Sequence, residues 1–386
     1  MGVSEFPSSP AAALPHIEDD RDSFPTVVGL QPVALVDHVA RVDWTLLDAI
    51  PGERGGSQRV TVEELEHILT QVNMHILPSP QQLSPIRTIA GGSVANTVRG
   101  LAAGFGISCA IVGACGDDEQ GQMFVKNMEM ARVSLSRLRI KRGPTGQCAC
   151  LVDAEGNRTM RPCLSDAVRL QANELIADDI RGSKWVVLNG YGFYGQGLVE
   201  DAVHLAKKEG AFVSMDLASF EVVRNFRSQL LDLLKSGQID LCFANEDEAR
   251  ELMREEPDRD AESALAFLAS YCSWAVVMLG PKGCIARHGK EIARVPAIKG
   301  AEVIDTTGAG DLFASGFLYG MIKDLSLADC CRIGCCTGGA VVRALGGEVE
   351  QQSWQWAYEE MRVLGLPIPK FAQCSTNQSN VEQVID

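Results

Sequence analysis

The chain has 386 residues, of which 46% are hydrophobic and 22% charged, the make-up of an ordinary globular protein with enough length for one large core or two modest ones. Its formal net charge of −15 repels phosphodiester backbones and anionic headgroups, which sets nucleic acid and membrane surfaces aside as main partners and leaves small anions to a local site. No run approaches the roughly 18 consecutive apolar residues of a membrane-crossing helix, so a soluble protein is expected.

Residues 1–26 lack the basic start and apolar run of a secretory signal and are too acidic for a typical transit peptide. Gly2 invites myristoylation, but Phe6 stands where Ser or Thr is needed. This segment reads as a flexible extension of a cytoplasmic protein, followed by one domain over 27–368; the Gln-, Asn- and Ser-rich tail 369–386 reads as disordered. The 13 cysteines are odd in number and scattered without the spacing of a secreted domain, which favours reduced thiols. The densest group is Cys330, Cys331, Cys335 and Cys336. A metal site is conceivable there, but no His or pair of CxxC knuckles accompanies it, and small apolar residues of a buried helix are expected.

Within the domain, TVVGL, CAIVGACG, WVVLNG, AFVSMD, IDLCFAN and WAVVMLG alternate with amphipathic helical stretches. That alternation predicts βαβ units and an α/β fold, three layers in α/β/α order around a mainly parallel sheet. Two stretches break the rhythm, near 38–60 and 140–165. The second has period-2 alternation and a Glu155-Gly156-Asn157 turn, which predicts a hairpin, and the two together predict a small β lid over the sheet.

The strongest chemical signal is Asp305-Thr306-Thr307-Gly308-Ala309-Gly310-Asp311 before the apolar run LFASGFLYGMI. Glycines at a helix start leave N–H groups bare at the positive end of the dipole, so Gly308, Ala309 and Gly310 suit an anion. Asp311 at the end of that turn is placed to take a proton from a hydroxyl attacking a phosphate there. A competing signal is Gly190-x-Gly192-x-x-Gly195 after a strand, with Asp216 at the end of the next one, the spacing of a dinucleotide-binding turn and of an NAD-dependent dehydrogenase. The bulk of Tyr191, Phe193 and Tyr194 in that turn argues against it. No GxxxxGK[ST] sequence is present, which argues against the P-loop kinases.

DTTGAGDLFASGF resembles the C-terminal signature of the ribokinase-like (PfkB-type) sugar and nucleoside kinases. Ala90-Gly91-Gly92-Ser93-Val94-Ala95-Asn96-Thr97, Asn245-Glu246-Asp247-Glu248 and Leu279–Gly283 resemble further motifs of that family, in family order over roughly 27–350. The resemblance implies ATP-dependent phosphorylation of a primary hydroxyl of a small sugar or ribonucleoside, with Asp311 as base and Gly308, Ala309 and Gly310 as anion hole. It implies that Asp37, Gly91, Gly92 and Asn96 bind the acceptor, and that Asn245, Glu248, Gly280, Gly283, Asp305 and Thr307 serve ATP. Asn245 and Glu248 are further expected to hold Mg²⁺ through water, while any need for a monovalent cation stays open. Relatives include lid-mediated dimers, so monomer and homodimer both stand. The family usually has Gly-Asn shortly before the acceptor Asp, whereas Pro32-Val33 occupy that place. GGSVANT, Pro144–Cys148 and Gly156–Met160 resemble the adenosine-kinase-like members most in detail. His38 is expected to be structural, and a non-catalytic scaffold on this fold is the remaining alternative.

Overall fold

A computed structural model describes residues 24–77 and 86–374. The proposed extension and tail therefore lie mostly outside the described residues, although a short helix, Lys370–Cys374, falls within the stretch expected to be unstructured.

Among the described residues thirteen strands form two sheets. In chain order they are β1 (Val27–Gln31), β2 (Leu35–Arg41), β3 (Arg87–Gly91), β4 (Cys109–Gly116), β5 (Leu138–Lys141), β6 (Gly146–Val152) and β7 (Arg158–Cys163), then β8 (Trp185–Asn189), β9 (Phe212–Asp216), β10 (Leu241–Asn245), β11 (Trp274–Met278), β12 (Cys284–His288) and β13 (Glu291–Val295). The large sheet runs β13-β12-β11-β10-β9-β8-β1-β4-β5, parallel from β11 to β5 with an antiparallel hairpin, β12–β13, at one edge. Its central strands are apolar on both faces, as strands covered by helices on two sides must be. One cluster, including Val98, Phe124, Phe243 and Phe317, fills one side. Another, including Leu188, Leu198, Val213 and Leu234, fills the other. Among the described residues no helix is long and apolar enough to cross a membrane.

The small sheet runs β3-β2-β6-β7 and is the β lid. Alternation along β6 divides its side chains. Ala149 and Leu151 pack outward against the helices Trp44–Ala49 and Val62–Val72 through Leu46, Leu47, Leu65 and Ile68, while Cys148, Cys150 and Val152 pack on Val39, Ile89 and Leu345. The longer helix is fixed at its start by a capping box between Thr61 and Glu64. β6 and β7 form the expected antiparallel hairpin. The lid strand β3 had no sequence signature of its own, since it ends inside the Gly91-Gly92 motif.

The cysteines of the Cys330–Cys336 group are buried along the helix Leu327–Val341. Among the described residues they form no metal-competent cluster.

Candidate active site

Gln31, Asn189, Asp216, Asn245 and Met278 end five of the parallel strands and line one cleft of about 790 Å³. In register, Asn189 lies beside Asp216, and Asn245 beside Met278. The carboxyl edge of an open parallel sheet is where the chain turns away into helices and leaves a crevice. The lid closes the crevice from above through Asp37, Arg158 and Met160.

Two glycine motifs more than two hundred residues apart meet in this cleft. The helix Ala309–Ile322 starts at Gly308, whose φ of 77° is the left-handed conformation, and no side chain caps that helix. Asp311 sits in its first turn and accepts hydrogen bonds from Ser93 Oγ (2.6 Å) and Asn96 Nδ2 (2.9 Å), both on the helix Ser93–Arg99. The Asn96 amide is oriented in turn, because its Oδ1 accepts from Arg99 Nη2 at 2.6 Å. Arg99 is buried and also donates to Ala90 O, Asn127 Oδ1 and Gly347 O. Burial raises the Asp311 carboxyl above its ordinary range, opposed by the Ser93 and Asn96 hydrogen bonds. Both polar ends of Asn96 are thus engaged within the protein, on Asp311 and on Arg99.

Asp37 is 1% exposed, and its Oδ1 has no hydrogen-bond partner. Burial pushes this carboxyl up to about 7, with Arg99 pulling the other way. A side chain at Gly91 would strike the Asp37 carboxylate, and one at Gly92, where φ is 97°, would strike Gln31. Gln31 holds this turn by accepting from Ala95 N (2.8 Å) and donating to Gly91 O (3.2 Å). His38 faces Thr88 Oγ1 at 3.1 Å and Gln147 Oε1 at 2.9 Å, the structural place expected of it.

In the seven-residue turn, both Asp305 oxygens are committed, one to Thr307 N and one to Gly346 N, each at 2.7 Å. Asp305 therefore clips the loop, while Thr307 lines the cleft with a buried Oγ1 that has no partner. Gly280 and Gly283 line the same end after β11, together with Ile298, Ala301 and Val342.

Asn245 and Glu248 make a complete capping box on the helix Glu246–Leu252: Asn245 accepts from Asp247 N and Glu248 N, and both Glu248 oxygens accept from Asn245. Burial and the neighbouring Asp216 raise Glu248 well above the usual carboxyl range. Burial and Asp311 likewise push Asp216 up to about 7. The lid residue Arg158 exerts its charge on Asp216, Glu248, Asp305 and Asp311 together.

Ser93, Gln31, Arg99 and Arg158 carry no role in the sequence reading. Ser93 lies inside the quoted GGSVANT and Arg158 inside GNRTM, so the motifs contained them. Gln31 had no local signal, because its partners Ala95 and Gly91 come from a distant segment, whereas Arg99 stands one helical turn after Asn96, within reach of its side chain.

The lid is tied to the Asp305–Asp311 turn by a latch. Gly156 O, at the tip of the β6–β7 hairpin, accepts from Thr306 N (2.9 Å) and Thr306 Oγ1 (3.0 Å). Thr306→Val removes the second bond, worth about 0.5–1.5 kcal/mol. A rise of about two- to tenfold in the KM of the acceptor is expected in steady-state assays, and an unchanged KM would show that the latch does not contribute to closure. A pH effect follows from Asp37. Its ionised form is the better acceptor of hydroxyl protons, so under the expectation that Asp37 binds the acceptor, the acceptor's KM should rise as pH falls below about 7, approaching about tenfold per unit. A KM flat between pH 5.5 and 8 in saturating ATP would contradict this.

The Gly190–Tyr194 turn is filled rather than open. A side chain at Gly190 would meet Leu217 O at 2.6 Å, and the Tyr191 side chain lines the cleft. The dinucleotide reading fails here, and Asp216 belongs instead with Asp311 and Glu248.

A buried carboxylate beside an uncapped helix start, in a cleft with a second buried carboxylate and a closing lid, is the equipment of a phosphotransferase acting on alcohols. The sequence model of the pfkB family carbohydrate kinases matches residues 64–353. The chain belongs to that family, and is a sugar or nucleoside kinase using ATP. It is 29% identical to a probable sugar kinase from Rhizobium etli CFN 42, with a TM-score of 0.77 over 89% of this chain and 99% of that one. It is also 29% identical to an adenosine kinase from Sinorhizobium meliloti, with a TM-score of 0.76 over 87% of this chain and 99% of that one. Adenosine kinase 2 of Arabidopsis thaliana is 23% identical over 285 residues, which is 68% of this chain and 80% of the relative.

Proposed function

We propose that the protein transfers the γ-phosphoryl group of ATP to the 5′-hydroxyl of an adenosine-like ribonucleoside, with Asp311 as general base. The observation that carries the acceptor class is the composition of the cleft around Asp37. Val33, Leu35, Met160, Pro162 and Leu164 line it with apolar surface. A free sugar has no large apolar face to cover that wall, whereas a nucleobase does. Asp37 then accepts the 2′- and 3′-hydroxyls, two donors for two oxygens. The adenosine kinase of Sinorhizobium meliloti supports the same class.

In this reading Ser93 and Asn96 hold the Asp311 carboxylate towards the incoming hydroxyl, and the backbone of Gly308, Ala309 and Gly310 receives the transferred group. Arg158 reaches from the lid to balance charge on that group. The donors around Asp216, Asn245 and Glu248 are hard oxygens, which fit Mg²⁺. Since both Glu248 oxygens are already held by Asn245, these residues would hold that ion through water. When bound, it neutralises the phosphate oxygens. Glu248→Gln should raise the Mg²⁺ concentration needed for half-maximal rate and leave the acceptor's KM within about twofold. An unchanged Mg²⁺ dependence would reduce this motif to a helix cap.

The acceptor class is tested with a panel of nucleosides and sugars in ATP and Mg²⁺, read by product mass. A monophosphate from adenosine, inosine or guanosine, and little from fructose or ribose, is the expected result. A product only from a free sugar would overturn the nucleoside reading.

A further inference from the structure

Three potential metal ligands, two soft thiols and one carboxylate, converge beneath the acceptor end of the cleft. Cys148 and Cys150 are two apart on β6 and so share one face of the lid sheet. Asp37 is the register partner of Cys148 on β2. Asp37 is 1% exposed, Cys148 1% and Cys150 0%, and their ligand atoms lie within 4.8 Å of one another. Asp37 Oδ1 is buried with no partner. Cys148 and Asp37 line the cleft, which gives an ion a way in.

We propose that Asp37, Cys148 and Cys150 form a binding site for a thiophilic divalent cation of the Zn²⁺ or Cd²⁺ class, and that occupation of this site excludes the acceptor. The mode of inhibition rests on the assignment of Asp37 to acceptor binding; the metal site itself does not. Two sulfurs and one oxygen supply three positions of a tetrahedron, and a water from the cleft completes it. Thiolate ligands favour Zn²⁺ and Cd²⁺ over Mg²⁺, so the ion that accompanies ATP does not compete. As each sulfur–metal bond forms, its thiol proton passes to solvent. Asp305 and Asp311 add negative potential at Asp37, and Arg99 opposes it. A carboxylate that ligates the cation cannot also accept the acceptor's hydroxyls.

The test uses the purified full chain, titrated with CdCl₂ and followed by the ultraviolet thiolate–cadmium charge-transfer band, with X-ray absorption of the zinc form counting the ligands. One ion per chain is expected, with two sulfur neighbours at about 2.3 Å in the zinc form. The band should be lost in Cys148→Ser and in Cys150→Ser. At about ten times its Kd, Zn²⁺ should raise the acceptor's KM about tenfold by mass action and leave the KM of ATP unchanged. Three or more sulfur neighbours would place the ion elsewhere and overturn the site, and the ligand count on the unmodified chain decides this even if a variant fails to fold. A band that survives in either folded variant would overturn it too. If the band depends on Cys148 and Cys150 but adenosine does not displace the ion, the metal site stands and the placement of the acceptor at Asp37 falls.

Discussion

Asp311→Asn will lower kcat by at least about 10²-fold, the lower range for loss of general-base help, with the KM of ATP little changed. The surroundings make this a clean substitution. Asn96 can only donate towards position 311, because its Oδ1 is held by Arg99. The new amide therefore turns its oxygen to Asn96 and its NH₂ to Ser93 Oγ, which rotates to accept. Both contacts survive and thermal stability should hold, but no lone pair of sufficient basicity remains for the attacking hydroxyl. The loss then appears in kcat, as expected for a group that acts in the transition state. Asp216→Asn is the control: it should raise the Mg²⁺ requirement and leave acceptor binding intact. Abolished activity in that variant beside a harmless Asp311→Asn would move the base to Asp216.

Asp37→Asn should act at the other end of the reaction and in two directions at once. A hydrogen bond to a charged group is worth about 1.5–3 kcal/mol, and two hydroxyls are bound to this carboxylate in the proposed complex. The acceptor's kcat/KM should fall by about 10²-fold or more, and the dependence of KM on pH near 7 should disappear with it. Stability should move the other way. The folded carboxyl titrates at about 7 against 3.8 for the free group, because burial disfavours its charge. The folded form thus binds the proton more tightly. That contribution to stability is complete below the ordinary carboxyl range and is lost as pH rises through about 7. The neutral amide avoids this loss, so at pH 8 the variant should melt above the wild type by calorimetry. A lower melting temperature with full activity would show that Asp37 serves packing and not the acceptor.

What the sequence made legible is what it encodes locally. The Asp305–Asp311 turn, the Gly91-Gly92 turn and Asn245 through Glu248 each carry their geometry within seven residues or fewer, so an uncapped helix start or a cap can be read directly. The strand and helix alternation gave the parallel sheet for the same reason. Contacts assembled by the fold were not legible. Nothing near Asn96 says that Asp311 will be its partner from the other motif, or that Gly347 O will hold Arg99, the neighbour three residues on that orients its amide. Asp216 shows the hazard most clearly. Its spacing from the Gly190 turn fits a dinucleotide fingerprint, but that spacing only says that it ends the next strand, and many parallel sheets share this rhythm. Its chemistry comes from Asp311 and Glu248 nearby in space. The lid was visible as broken alternation near 140–165, but β3 was hidden, since a five-residue strand running into a glycine turn has too little pattern of its own.

The activity proposed for this protein is phosphoryl transfer to a primary hydroxyl of a nucleoside. It is tested most directly by ³¹P NMR of the wild-type protein with ATP, Mg²⁺ and adenosine. ADP and a 5′-phosphomonoester are expected to accumulate in equal amounts, with the ester absent from an otherwise identical sample of Asp311→Asn over the same interval. Inorganic phosphate accumulating with ADP and no ester, or an ester formed equally fast by the variant, would contradict it.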